Sequence, residues 1–213
     1  MEAAKLKVLC KNKTKEQKTV LEYFLKECGC LAKTISDEEY MGMITNRLQA
    51  LKLKDKALGK IGLDIDQVSE ISPVNFGGFV FDEAYVKKLA DGSYVSSKYE
   101  STWIFFSSTQ IYFYTYRFWM DEDKKKEETE EYFYRDVTSL STSTNEEKPK
   151  ELVELKKGCM QSKTELIYGK TIESTKFKLV VPGASICVSM EGTEANENIV
   201  QAMKQKLREK KSS

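Results

Sequence analysis

"FSSTQIYFYTYRFWMDEDKKKEETEEYFYRDVTSL", Phe106 to Leu140, sets aromatics on alternating positions, breaks them with a run of charge, and then resumes the alternation. Successive side chains of a strand point to opposite faces. Ile111, Phe113 and Thr115 therefore share one face, and Tyr112, Tyr114, Tyr116 and Phe118 the other. The Asp121–Glu127 run reads as the turn of a hairpin, with "EETEEYFYRDVTSL" returning beside the first strand. One face is expected to fill a core. The tyrosine-rich face pairs apolar rings with polar hydroxyls, and it has three destinations: beneath helices, against a partner, or partly in water. The lysines and glutamates of the turn oppose edge-to-edge aggregation.

The strand pattern extends outward in both directions. "VNFGGFVF" (Val74 to Phe81) reads as a strand bulged or bent at Gly77-Gly78. "DGSYVSSKYE" and "STWIFFSS" follow as strands with Gly or Ser turns. Beyond Leu140, "TNEEKPKELVELKKG" is open between strand and short helix. "TELIYG", "KFKLVVPG" and "ASICVSMEG" then read as three further strands around Gly169 and Pro182-Gly183.

Helical spacing dominates elsewhere. Val20, Leu21, Phe24 and Leu25 mark a helix that opens near Thr14 and stops at Gly29. Ser36, three residues before Glu39, is a capping box, followed by a long helix with Tyr40, Ile44, Leu48, Leu51 and Leu58 on one stripe. A short helix opens at Asp64 and is halted by Pro73. At the other end, Thr193 caps a helix with Ile199, Met203, Leu207 and Val200 as its apolar stripe, acids in its first turn and bases in its last. Helices, then six to eight antiparallel strands, then one helix is an α+β plan, and uninterrupted strands point to a barrel or strongly bent sandwich. The boundary falls near Ser72-Pro73, giving a helical region 1–72 and a strand-rich domain 73–213.

"FFSSTQIYFY" (Phe105 to Tyr114) and "FYRDVTSLSTS" (Phe133 to Ser143) resemble consecutive strands of GRAM and bacterial pleckstrin-homology-like domains. The resemblance covers about residues 73–211, although Gln110 stands where the family often has Arg. It implies an antiparallel PH-like β-barrel capped by the C-terminal amphipathic helix. It also implies that loops of the early strands are where an anionic headgroup docks. Lys87, Lys88 and Lys98 are the bases of that region, and solvated surface lysines are the plainer reading of them.

Composition narrows the chemistry. The chain has 213 residues, 40% hydrophobic and 31% charged, enough to bury a core under a solvated surface. Its net charge of +1 is unevenly spread. Residues 1–60 hold thirteen Lys/Arg against eight Asp/Glu, residues 121–131 three against seven, and residues 200–213 five against one. Nucleic acid asks for a broad basic excess, so it is not an expected partner. No apolar run is long enough to span a bilayer and no secretory leader is legible, which places the chain in the cytoplasm as a sequence expectation. Cys10, Cys28, Cys30, Cys159 and Cys187 are odd in number and read as reduced thiols, with Cys187 in a core strand.

With no histidine, Ser-His-Asp and Cys-His nucleophiles and histidine-based metal sites are excluded. No glycine-rich phosphate loop is present, and Cys28-Gly-Cys30 lacks the second pair that a structural zinc needs. Asp64/Asp66 and Asp121/Asp123 read as caps and turn acids. No catalytic residue, cofactor or metal is expected. The leading expectation is a noncatalytic interaction module that binds protein partners or self-associates, with Tyr112, Tyr114, Tyr116 and Phe118 as partner surface. The alternatives are peripheral binding of anionic lipid or phosphoinositide-type headgroups through Lys87, Lys88 and Lys98, with weak membrane contact, and an unrecognised enzyme or small-ligand carrier.

Overall fold

Side-chain caps start the N-terminal helices where the sequence places them. In the computed structural model, which describes residues 3–26, 34–68, 71–157, 162–167 and 169–212, the first elements are α1 (Ala3–Leu9), α2 (Lys15–Leu25), α3 (Asp37–Leu51) and α4 (Leu53–Ile61). Thr14 Oγ1 accepts the Gln17 N–H at 3.2 Å while the Gln17 side chain accepts the Thr14 N–H at 3.0 Å. Ser36 and Glu39 form the same reciprocal pair at 3.1 and 2.7 Å. The single long helix expected after Ser36 is instead two. Lys52 takes a left-handed conformation, φ 46°, ending α3 and turning the chain so that Leu53 and Ala57 of α4 are buried. A 3-10 turn, Ile65–Val68, stands in place of the short helix.

Among the described residues eleven strands follow, more than the expected six to eight: β1 (Ile71–Phe79), β2 (Tyr85–Lys88), β3 (Tyr94–Ser96), β4 (Lys98–Phe106), β5 (Gln110–Trp119), β6 (Lys125–Phe133), β7 (Ser139–Glu147), β8 (Glu151–Lys157), β9 (Ser162–Ile167), β10 (Ile172–Val181) and β11 (Ala184–Ser189). The closing helix is α5 (Glu194–Ser212). The strands form three sheets, in the orders β1-β4-β5-β6, β11-β10-β7 and β3-β2-β8-β9. The expected closed barrel is not formed among the described residues. Ladder pairing lapses at the corners, where a 3-10 turn at Tyr134–Asp136 separates β6 from β7 and the kink at Ser96-Ser97 separates β3 from β4. The pairings are antiparallel except one, since β2 runs parallel to β8 with Val86 beside Leu152.

The first and second sheets face each other across one core. Ile104, Phe106, Ile111 and Phe113 meet Phe177, Leu179 and Val188, and the Phe76 and Phe177 rings stack at 5.7 Å. Val200, Met203 and Leu207 of α5 enter the same core, with the Thr193 hydroxyl capping the Asn196 N–H at 3.3 Å. A glycine at φ 83°, Gly183, makes the β10–β11 turn that a side chain would strain.

The opposite face of β4 and β5 forms a second core. Tyr99, Phe105, Tyr112, Tyr114, Tyr116 and Phe118 pack against Val20, Leu21, Phe24, Tyr40, Ile44, Leu53 and Ala57. The helices and the first sheet thus share one apolar cluster. Burying each such aromatic contributes about 1.5–3 kcal/mol, which a water-facing tyrosine sheet would forgo. The surface assigned to a partner is therefore covered by the chain's own helices.

Two other expectations are corrected or fall outside the described residues. Cys187 is exposed, because Ile186 and Val188 take the inward positions of β11 on either side of it. Cys28, Gly29, Cys30 and Cys159 lie outside the described residues.

Candidate functional site

The turn before β2, the β5–β6 hairpin and the β7–β8 turn converge on an open cleft of about 550 Å³. Asp82 and Glu83 come from the first, Trp119, Glu122 and Lys124 from the second, and Lys148, Pro149 and Lys150 from the third, with Lys98 rising from the start of β4. The walls are tied together by backbone bonds, Glu83 N–H to Lys148 O at 3.0 Å and Lys150 N–H to Ala84 O at 2.9 Å. Glu83 holds φ 52°, a left-handed conformation that costs a non-glycine residue about 1–2 kcal/mol.

One buried carboxylate fixes this frame. Glu147, 5% exposed, accepts the Phe81 N–H at 2.6 Å, the Asp82 N–H at 3.1 Å and the Ser174 hydroxyl at 2.9 Å. It also pairs with Lys176 at 2.6 Å. Burial pushes its carboxyl up, but the Lys176 ammonium and the Phe81 N–H outweigh that and hold it below its ordinary value.

The indole of Trp119 carries two ammonium groups, Lys98 Nζ at 5.1 Å and Lys124 Nζ at 4.5 Å from the ring centroid. Lys98 is only 6% exposed, and its Nζ donates to Asp82 O at 2.7 Å. Burial, then the nearby Arg117 charge, lowers its pKa. Arg117 is itself turned toward Glu100, which also accepts the Ser189 N–H at 2.9 Å and so bonds the first sheet to the second. Lys150 lies 4.7 Å over the Tyr85 ring. Burial disfavours its charge, yet the hydrogen bond to the Tyr85 hydroxyl prevails and its pKa is raised. Just beyond, Asp121 is 7% exposed, and burial raises its pKa against a hydrogen bond from Ser97. Its Oδ1 has no hydrogen-bond partner among the described residues.

Four lysines thus face three carboxylates, and none of these acids forms an ion pair with Lys98, Lys124, Lys148 or Lys150 among the described contacts. The arrangement suits an anion at the exposed Lys124, Lys148 and Lys150, with the buried Lys98 held on Asp82 O. Among the described residues, no group of three His, Cys, Asp or Glu could hold a metal ion.

The three lysines expected to act together are separated. Alternation on β2 sends Lys87 and Lys88 to opposite faces. Lys87 Nζ bonds Asp37 Oδ1 at 2.8 Å and sits 3.9 Å over the Tyr23 ring, while the Tyr23 hydroxyl donates to the same oxygen at 2.8 Å. Burial raises the Asp37 pKa, but these two bonds reverse the effect. Lys87 is a tie between β2 and the helices. Lys88 lies 5.7 Å over Tyr94. Only Lys98 reaches the cleft. Lys124, Lys148, Lys150 and Trp119 were not singled out from sequence, and the visible signals were the short basic runs "KKK" at 124–126 and "KPK" at 148–150. No family model, curated protein or solved structure matches the chain.

Proposed function

We propose that the protein is a noncatalytic binding module of pleckstrin-like build that takes an anionic group in the Lys98–Lys124–Lys148–Lys150 cleft. The observation that carries this reading is four lysines, none salt-bridged to the cleft acids, gathered around Trp119 on a hydrogen-bonded frame. The pleckstrin-like reading is supported by two facing sheets with α5 packed into their core. The absence of histidine from the sequence removes histidine-dependent acid–base and nucleophilic chemistry. With the aromatic face of β5 covered, protein recognition through those tyrosines loses its surface.

Among the described residues, no helix is long and apolar enough to cross a membrane. Surface contact therefore rests on charge, with each lysine near an anionic bilayer contributing ~1 kcal/mol. The test has two arms, sedimentation with phosphatidylserine-containing and neutral vesicles, and titration of soluble inositol hexakisphosphate by tryptophan fluorescence. Binding in either arm that weakens with salt and drops about tenfold or more in Lys124→Glu/Lys148→Glu is expected. Both residues are exposed, so the fold should survive. Vesicle binding alone identifies a membrane headgroup, whereas inositol phosphate binding alone identifies a soluble ligand. No salt-sensitive binding in either arm overturns the proposal.

A further inference from the structure

We propose that the outer edge of β6 is a docking site for an extended basic peptide, which adds to the first sheet as a fifth strand. This stands apart from the cleft, on the other edge of the β5–β6 hairpin. β6 is the last strand of its sheet. Trp119 N–H bonds Lys124 O just before the β5–β6 ladder, and Tyr134 N–H bonds Thr109 O just after it. With the register Phe118↔Lys125 to Gln110↔Phe133 between them, the hydrogen-bonded pairs fall at Lys126, Glu128, Glu130 and Tyr132. The backbone groups of Lys125, Glu127, Thr129, Glu131 and Phe133 therefore point away from β5. No described backbone group bonds to them. Such a row is a template for another strand.

Charge identifies the occupant. Glu127 is engaged by the Tyr114 hydroxyl at 2.5 Å and by Lys56 at 3.2 Å, and Glu128 by Lys126 at 2.8 Å. Glu130 and Glu131 enter no ion pair among the described residues. With Thr129 and Tyr112 they border a groove of about 270 Å³ against Lys60 and Ile61 of α4. At the strand's end Phe133 is 42% exposed. The complementary segment carries Lys or Arg opposite Glu130 and Glu131 and an apolar side chain at Phe133. Antiparallel β6–β6 pairing about Thr129 sets Glu127 against Glu131 and Glu128 against Glu130, and like charges directly opposite destabilise that register. Pairing about Lys126 sets Lys125 against Glu127, so self-pairing of a second copy is an outcome of the test.

The probe is a fluorescein-labelled nonapeptide with two adjacent lysines to stand opposite Glu130 and Glu131 and a valine to stand opposite Phe133, compared with the same peptide carrying Glu in place of Lys. Anisotropy is expected to rise with the basic peptide only, and the Thr129 and Glu131 amides are expected to gain protection from hydrogen exchange. Thr129→Pro removes an outward donor without touching the β5 ladder, and is expected to weaken binding about tenfold or more. Glu130→Lys/Glu131→Lys should do the same, and it decides the matter should the proline variant fail to fold. Equal binding of the acidic peptide, undiminished binding by the folded variants, or absence of amide protection overturns the inference. So does dimerisation of the peptide-free protein through β6.

Discussion

Removing the Glu147 carboxylate should be among the most damaging single changes to the frame of the cleft. In Glu147→Ala, the buried Phe81 N–H loses its acceptor, the Asp82 N–H must find water, and Lys176 is left without its counter-ion. An orphaned buried donor costs about 1–3 kcal/mol. Breaking a buried ion pair by removing one partner costs about 3–5 kcal/mol. These overlap, and Lys176 is 20% exposed and can rehydrate, so the expected loss is about 3–5 kcal/mol in total. Against a typical stability of about 5–15 kcal/mol, that is a large fraction. Glu147→Gln keeps one carbonyl oxygen for the Phe81 and Asp82 N–H groups but still strips Lys176 of its counter-ion, so it should be more stable than the alanine variant by only about 1–2 kcal/mol. Urea unfolding at pH 7 measures both.

The pH dependence supplies an independent check. The carboxyl of Glu147 is held below its ordinary value of 4.5 in the folded protein. Its stabilisation is therefore fully present above that pH and is lost as pH falls through the folded value. The gap between native protein and Glu147→Gln should stay constant from neutral pH down to about pH 5 and narrow below it. An alanine variant less than about 1 kcal/mol weaker than the native protein, or a gap that widens in acid, would refute the reasoning.

Asp121 should behave in the opposite sense. Burial raises its pKa, so its ionisation disfavours the fold as pH rises past the ordinary 3.8, and Asp121→Asn should raise the thermal midpoint at pH 7 with the gain fading in acid; a variant destabilised at pH 7 would contradict this. Gly77→Ala should destabilise by about 1–3 kcal/mol, because its new carbon would stand 2.6 Å from the Tyr99 hydroxyl in the core under the helices, and Tyr99→Phe in the same chain should recover part of that loss in urea unfolding.

Local signals in the sequence were specific where the chemistry is local. Thr14, Ser36 and Thr193 marked helix starts because a side-chain oxygen three residues before a free N–H is a short-range arrangement. The alternation of Ile111, Phe113 and Thr115 against Tyr112, Tyr114 and Tyr116 fixed two faces, but nothing in that stretch says what covers the second. The answer lies in Tyr40 and Phe24, more than sixty residues away. The break at Lys52 carries no glycine or proline, and β2 is four residues long, so neither had a sequence signature. The parallel pairing of β2 with β8 and the meeting of Lys98 with Lys148 and Lys150 are long-range events that no local spacing encodes.

The position of the cleft follows from a change of chemistry along one sheet face. On β4 the alternate positions run Phe106, Ile104, Thr102, Glu100, Lys98, and on β5 they run Ile111, Phe113, Thr115, Arg117, Trp119. The two series are in register, so apolar pairs occupy one end of this face and polar pairs the other. The apolar end has to be kept from water, and Val200, Met203 and Leu207 of α5 contribute to its cover. The polar end is satisfied from within: Thr102 and Thr115 share a hydrogen bond at 3.0 Å, Arg117 meets Glu100, and Lys98 caps Asp82 O. A sheet face satisfied in this way at its polar end needs no helix to cover it. At Lys98 and Trp119, both buried, the cover comes instead from the loops that bring the other cleft lysines.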